Sequence, residues 1–280
     1  MSARVWIVGP IAWDTVIYLP SMPEVGKFVQ AIQTIERSGG TAANAAIALA
    51  TTGIETGFVG YLGDDHLSAK LRTTLENSEL KHLSITTLEG PPSHVLIFID
   101  EKGERTILGI SPDRLDQVTL KGVDLQPGDI VVFLLWREHF AQDLALAKSK
   151  GCITVVGAEA LALGISADIA IGSRGDVANV EINNELLERI PRIALTNGKD
   201  GADQYIHGSH IHQPSVATKI VDTTGAGDAF LAGYISVLAR GEKVDGEALL
   251  VGSHWSAVAI ATESSIPPHW NDVKKFKDDM

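Results

Sequence analysis

The run Val221-Asp222-Thr223-Thr224-Gly225-Ala226-Gly227-Asp228-Ala229-Phe230 leads directly into Leu231 to Arg240, LAGYISVLAR, an apolar stretch compatible with a helix. A glycine-rich turn that feeds a helix leaves the first backbone N–H groups unpaired and pointing outward. Gly225, Ala226 and Gly227 are therefore a candidate anion hole, suited to phosphate. Asp228 then falls in the first helical turn beside that hole, where a carboxylate takes a proton from a hydroxyl nucleophile as a phosphoryl group arrives. The plainer alternative is a loop-to-helix join in which Asp222 or Asp228 only caps the helix.

Upstream of this run, short stretches rich in Val and Ile alternate with longer ones of helical period, the pattern of a parallel sheet covered by helices. Buried strands are expected at Val5 to Val8, Thr56 to Tyr61, Ile130 to Leu134, Ile153 to Val156, Ile169 to Ile171 and Arg192 to Thr196. Helical stretches are expected at Thr41 to Thr52, His66 to Asn77, His139 to Lys150 and Asn183 to Arg189. Two regions break the rhythm. Asp14 to Ile35 carries Pro20, Pro23 and Gly26 around short alternating runs, and His94 to Ile110 reads as a hairpin with Gly103 in its turn. Together they are expected to form a small separate sheet over one edge of the main domain. The length of 280 residues allows one large α/β domain, two smaller ones or a domain with an inserted cap.

A second constellation, Ser38-Gly39-Gly40-Thr41-Ala42-Ala43-Asn44, runs into a helix of small residues. Gly39 and Gly40 permit close approach of a ligand to backbone, and Asn44 offers a donor and an acceptor to a polyol. Asp14 adds an acceptor able to grip two hydroxyls. The same residues also read as a turn with Thr41 as helix cap. Thr196 and Gly198, in LTNGKDG, follow a strand and present a hydroxyl and a backbone to a nucleotide, or else form an ordinary strand-to-turn junction. His207, His210 and His212 sit in a polar hairpin without the i, i+4 spacing of helical metal ligands. Trp13 and Trp136, near strand ends, are either pocket walls or core.

With 23 basic against 35 acidic residues, the net charge is −12 and the pI is near 5.1, which argues against nucleic-acid and anionic-membrane partners. A composition 45% hydrophobic and 21% charged excludes wholesale disorder. The one cysteine, Cys152, points to a reducing, cytoplasmic setting. No apolar run reaches the length of a membrane span, and the N-terminus lacks the pattern of a signal peptide.

DTTGAGDAF, from Asp222 to Phe230, resembles the C-terminal signature of the ribokinase-like (PfkB) carbohydrate kinases. The resemblance extends in order through LPSMPEVGKFVQAIQTIERSGGTAANAAIALATTG, FVGYLGDDHLSAKLRTTLENSEL, VLIFIDEKGERTILG and LTNGKDGA, which covers nearly the whole chain. It implies an α/β fold in a single domain over 1–280, a three-layer αβα core with a mostly parallel central sheet and a small β-sheet lid formed by about residues 14–35 and 94–110. It implies ATP-dependent phosphoryl transfer to a hydroxyl of a small sugar or sugar-like alcohol. Asp228 would be the base, and Gly225, Ala226 and Gly227 the anion hole. Asp14, Gly39, Gly40 and Asn44 would bind the acceptor; Thr196, Gly198, Gly225 and Gly227 would meet ATP. A monovalent cation such as K⁺ would lie near Asp222 and Thr224, and the lid would join a homodimer.

Two departures stand out. Where the family carries N-x-x-E to organise Mg²⁺, this chain reads Ser173-Arg174-Gly175-Asp176, leaving Asp176 as the metal carboxylate; where ribokinases proper carry Lys, it has Thr41. A nucleoside kinase of the same family is the nearest alternative. A non-catalytic sugar-binding protein on this fold is a more distant one. A dinucleotide-binding oxidoreductase is disfavoured because no G-x-G-x-x-G follows the first strand.

Overall fold

The first strand, β1 (Val5–Val8), has all four side chains buried, and they alternate between two cores. Val5 and Ile7 join one cluster, Trp6 and Val8 the other, so β1 lies inside a sheet covered on both faces. The computed structural model describes residues 2–101, 105–241 and 246–278. Its remaining elements are β2 (Ala12–Tyr18), β3 (Gln33–Gly39), α1 (Thr41–Ala50), β4 (Thr56–Leu62), α2 (His66–Glu76), β5 (His82–Thr87), β6 (Ser93–Ile99), β7 (Arg105–Gly109), β8 (Ile130–Phe133) and α3 (Phe140–Ser149). There follow β9 (Ile153–Gly157), β10 (Ile169–Ser173), α4 (Asn184–Arg189), β11 (Arg192–Thr196), β12 (Ala202–Ile206), β13 (Ser209–Gln213), α5 (Ala226–Ala239), α6 (Gly246–Ala259) and α7 (Trp270–Asp278).

The large sheet has the order β13-β12-β11-β10-β9-β8-β1-β4-β5, parallel from β11 to β5 and antiparallel only at β12 and β13. Residues of α1, α2, α5, α6 and α7 pack into the core on one face, and residues of α3 and α4 into the core on the other. From β1 the chain builds outward first through β4 and β5, then returns to build the other way from β8. The order thus reverses at β1, and ligands of open α/β sheets bind outside the strand carboxyl ends at such a point.

The two irregular regions leave the sheet at carboxyl ends, β2 and β3 after β1, β6 and β7 after β5. They form a second sheet in the order β3-β2-β6-β7, with β2 and β6 parallel and both outer pairs antiparallel. Its first hairpin starts at Ala12 and returns to Gly39, further than the alternating run Asp14 to Ile35 had suggested, because Glu36, Arg37 and Ser38 continue the pairing despite their polarity. Gly103 lies outside the described residues. Strand β8 stops at Phe133 rather than Leu134, because Leu135 takes φ 55° and turns the chain. The edge strand β5, sequence HLSITT, went unread because four of its six residues are polar.

Candidate active site

Helix α5 begins where the sequence placed a phosphate turn. Its N-cap is Gly225, in the left-handed region at φ 78°, and no side chain caps it, so neither Asp222 nor Asp228 plays the capping role. The Ala226 N–H closes a long 3.4 Å turn bond to the Thr223 carbonyl, and the Ala229 N–H returns to the Gly225 carbonyl. Between them, the Gly227 and Asp228 N–H groups belong to the first helical turn, whose donors have no carbonyl behind them within the helix. A helix of 14 residues directs its positive dipole end at this spot.

Asp228 is half-buried there. Asn44 Nδ2 donates to its Oδ2 at 2.9 Å, and the Thr41 hydroxyl donates to its Oδ1. Burial pushes the Asp228 carboxyl above its usual range, and the bonds from Thr41 and Asn44 pull the other way. A carboxylate of raised proton affinity held in one orientation is suited to a general base. Both partners come from α1, which packs along α5. Thr41 was legible in the sequence only as a cap; the N-cap is Gly40, and the Thr41 side chain is directed to the base instead.

Asp14 stands on β2, 4% exposed, in register opposite Arg37 of β3. Burial pushes its pKa up to about 7, the Arg37 charge opposing this and the Asp228 charge adding to it. A Cβ on Gly39 would lie 2.0 Å from Asp14 Oδ2, and one on Gly40, at φ 97°, would strike the Ala12 nitrogen at 2.7 Å. Gly39 is what allows the Asp14 carboxyl to lie against the turn into α1, and Gly40 lets that turn pass close to the 10–12 backbone. The structure thus brings together Asp14, Gly39, Gly40, Asn44 and Asp228 at the switch point.

The raised pKa of Asp14 gives a testable sign. A folded value above the unfolded one means that the stability contribution is full below about pH 4 and is lost as pH rises through about 7. A difference of that size corresponds to roughly 4 kcal/mol at most. Asp14→Asn is therefore expected to raise Tm above pH 7 relative to the parent protein, while hardly changing it near pH 4. If ionised Asp14 grips two hydroxyls of the acceptor, acceptor affinity measured by calorimetry improves as pH rises through about 7, and the asparagine variant shows a weak, flat profile. Parallel pH profiles for the two proteins would refute the role.

The remaining residues occupy the other half of the carboxyl edge. Thr196 ends β11 beside Ser173 of β10, its hydroxyl 3.3 Å from the Gly172 carbonyl. Gly198 opens the following turn at φ 53°. The Ser173 hydroxyl accepts from the Gly175 N–H at 3.2 Å and caps the short turn carrying Asp176, whose side chain is exposed. None of these residues bonds to the Asp228 cluster among the described residues. Trp13 and Trp136 are 7% and 8% exposed and belong to the two cores, Trp136 edge-on to Phe133 and Phe140. His210 and His212 both contact Asp203 on the exposed β12–β13 hairpin. Among the described residues no group of three or more His, Cys, Asp or Glu is arranged to hold a metal ion.

The Asp222 carboxylate, expected beside a monovalent cation with Thr224, is already engaged by groups of the chain. Asp222 Oδ1 accepts the Thr224 N–H at 2.8 Å, and its Oδ2 receives the Arg37 guanidinium at 3.2 Å. Burial works to raise the Asp222 pKa, but Thr224 and Arg37 outweigh it and hold the carboxylate below its usual range. Sequence reasoning passed over Arg37, whose place here depends on strand register.

The model of the pfkB family carbohydrate kinases matches residues 5–134 and 168–272, which include every member of the Asp228 cluster. The chain belongs to this family. Among pfkB relatives, an ATP-dependent ribose-1-phosphate kinase of Halopiger xanaduensis is 27% identical over 83% of this chain and 84% of its own. A fructokinase of Klebsiella pneumoniae is 26% identical, covering 85% of each chain. The crystal structure of a ribokinase from Thermotoga maritima superposes on this pfkB chain with a TM-score of 0.79 at 21% identity, over 99% of this chain and all of that one.

Proposed function

We propose that the protein transfers the γ-phosphoryl group of ATP to a hydroxyl of a small sugar or sugar-like alcohol, with Asp228 as the base. The observation that carries this reading is the Asp228 carboxylate, raised in proton affinity, fixed by Thr41 and Asn44, and set in the first turn of α5 beside Gly225, Ala226 and Gly227. Asp14, Gly39, Gly40 and Asn44 orient the acceptor so that one hydroxyl faces Asp228. Asp228 takes the proton of that hydroxyl as the oxygen attacks phosphorus, and ADP leaves. N–H groups of the 225–227 turn receive the charge on the transferred group, an electrostatic role that needs no rearrangement during the step. Thr196 and Gly198 meet the nucleotide. Asp176, an exposed carboxylate in the turn after β10, would hold Mg²⁺ together with phosphates and water, and the ion would neutralise phosphate charge.

The names of the relatives support a sugar or sugar phosphate as acceptor. An ADP-release assay across ribose, ribose 1-phosphate, fructose, 2-keto-3-deoxygluconate, adenosine and cytidine tests the reading. Turnover of one compound well above the rest supports it, a nucleoside alone would move the acceptor class, and Mg²⁺-ATP that is bound but never consumed would favour a sugar-binding protein.

The small sheet is proposed as a lid that closes over the acceptor and joins a homodimer in a cytoplasmic enzyme. Its edge strand β7 is exposed along its whole length, with Ile107 at 63% and Leu108 at 50% exposure, and Val25, Phe28 and Ile32 stand out from the β2–β3 connection. Exposed apolar edges of this kind are normally covered. Ile107→Asp is expected to convert a dimer to monomers in light scattering, and a parent protein that is monomeric at micromolar concentration would refute the interface. Among the described residues no helix is long and apolar enough to cross a membrane.

A further inference from the structure

We propose that Arg37 supplies, from the chain itself, the positive charge at the Asp222 side of the phosphate turn, so that the enzyme needs no monovalent cation there. The inference rests on the kinase reading above. A single guanidinium nitrogen, Arg37 Nη1, donates to Asp222 Oδ2 at 3.2 Å and to the Glu263 carbonyl at 2.7 Å. A carboxylate and a peptide carbonyl converging on one point are oxygen donors of the kind a hard cation takes. Here the point is filled by a nitrogen, and an added cation would meet like charge at contact distance in a poorly solvated place. Asp222 is 8% exposed, and the side chains of the pair are 13% and 6% exposed, so solvent screens the interaction little.

The contact also ties two separate segments to the turn. Arg37 belongs to β3 of the small sheet, opposite Asp14. Asp222 holds the Thr224 N–H, one residue before Gly225. Glu263 lies in the segment after α6, where Ser265 donates its hydroxyl to the Ser38 carbonyl at 2.6 Å and its own carbonyl backs Gly225. Arg37 is thus a positioning residue. It touches none of the reacting atoms, yet it fixes the segment from which the 225–227 N–H groups project, and it couples that segment to the strand pair bearing Asp14. A covalently attached guanidinium performs this constantly, whereas a bound ion exchanges with the medium.

The test compares the parent protein with Arg37→Ala and Arg37→Lys in K⁺, Na⁺ or tetramethylammonium buffers at a constant ionic strength of about 0.1 M. Tm and ADP affinity by calorimetry are measured alongside ADP release. The parent protein is expected to be indifferent to the cation in all three readouts. Arg37→Ala, which empties the point between Asp222 and the Glu263 carbonyl, is expected to lose about 10²-fold in kcat, since small misplacements have effects of that order. It should show a lower Tm, with K⁺ restoring Tm and ADP affinity in preference to tetramethylammonium. Arg37→Lys keeps a charge on a shorter, differently shaped side chain, and should fall between the two. Should the alanine variant not fold, the parent protein's cation profile and the lysine variant still decide. Specific K⁺ activation or stabilisation of the parent protein overturns the proposal, as does an Arg37→Ala protein with unchanged kcat and ADP affinity. Tm and ADP affinity require no acceptor, so a failed acceptor search would count against the kinase reading and not against Arg37.

Discussion

Asp228→Asn is expected to lower kcat by roughly 10²- to 10⁴-fold, the range in which a positioned general base contributes, while Tm and acceptor affinity stay close to those of the parent protein. The structure explains why this substitution isolates the chemistry. Asp228 Oδ2 accepts from Asn44 Nδ2, and Oδ1 accepts from the Thr41 hydroxyl. An asparagine can keep its carbonyl oxygen toward Asn44 and turn its amide toward Thr41, because a hydroxyl accepts as readily as it donates. Both bonds therefore survive, α1 stays docked on α5, and only proton affinity is lost. Burial already disfavours the charged carboxylate, so the neutral amide has no desolvation penalty to add. Stopped-assay kcat, acceptor calorimetry and thermal melting, taken together, check the separation. A variant retaining more than about a tenth of parental kcat would remove Asp228 from the role of base.

Asp228, the turn before it and the strands flanking β1 were legible because each depends on local sequence: a glycine pair at a helix start, or a short Val- and Ile-rich run. Strands β1 and β11 fell on their expected residues for that reason. What escaped was set by register and burial. Arg37 gains its meaning from standing opposite Asp14 across β2 and β3, a pairing fixed by a long, proline-bearing connection that no local pattern encodes. Thr41 offered only the common cap, since nothing in GGTAAN reveals that α5 brings a carboxylate within reach of its hydroxyl. The proton affinity of Asp14 follows from its burial and from the nearby Asp228 charge, with Arg37 opposing, all properties of the assembled fold. The place of Arg37 beside Asp222 escaped in the same way. Asp222 and Thr224 carry the family's letters, and a residue 185 positions away in sequence occupies the carboxylate.

Gly227→Ala and Gly225→Ala should lose activity for opposite reasons, and the contrast tests whether the turn is built to receive a phosphoryl group. Gly225 sits at φ 78°, and a Cβ there would lie 2.4 Å from the Ser265 carbonyl oxygen. Alanine must bear the strain of the left-handed region, about 1 kcal/mol or more, and must also push the 263–265 segment away, so Tm and activity fall together. Gly227 has no positive φ, and a Cβ there would meet nothing within 4 Å. As the second residue of α5 it gains helix propensity on becoming alanine, so Tm is expected to hold or rise, by up to about 1 kcal/mol of stability. That open space is what a transferred phosphoryl group approaching the Gly227 N–H would need. A methyl group placed in it blocks the approach, and kcat is expected to drop by about 10²-fold or more, the effect of losing one preorganised donor to the developing charge. A stable Gly227→Ala protein with near-parental kcat would show that the phosphoryl group passes elsewhere, because no folding defect would then hide the result.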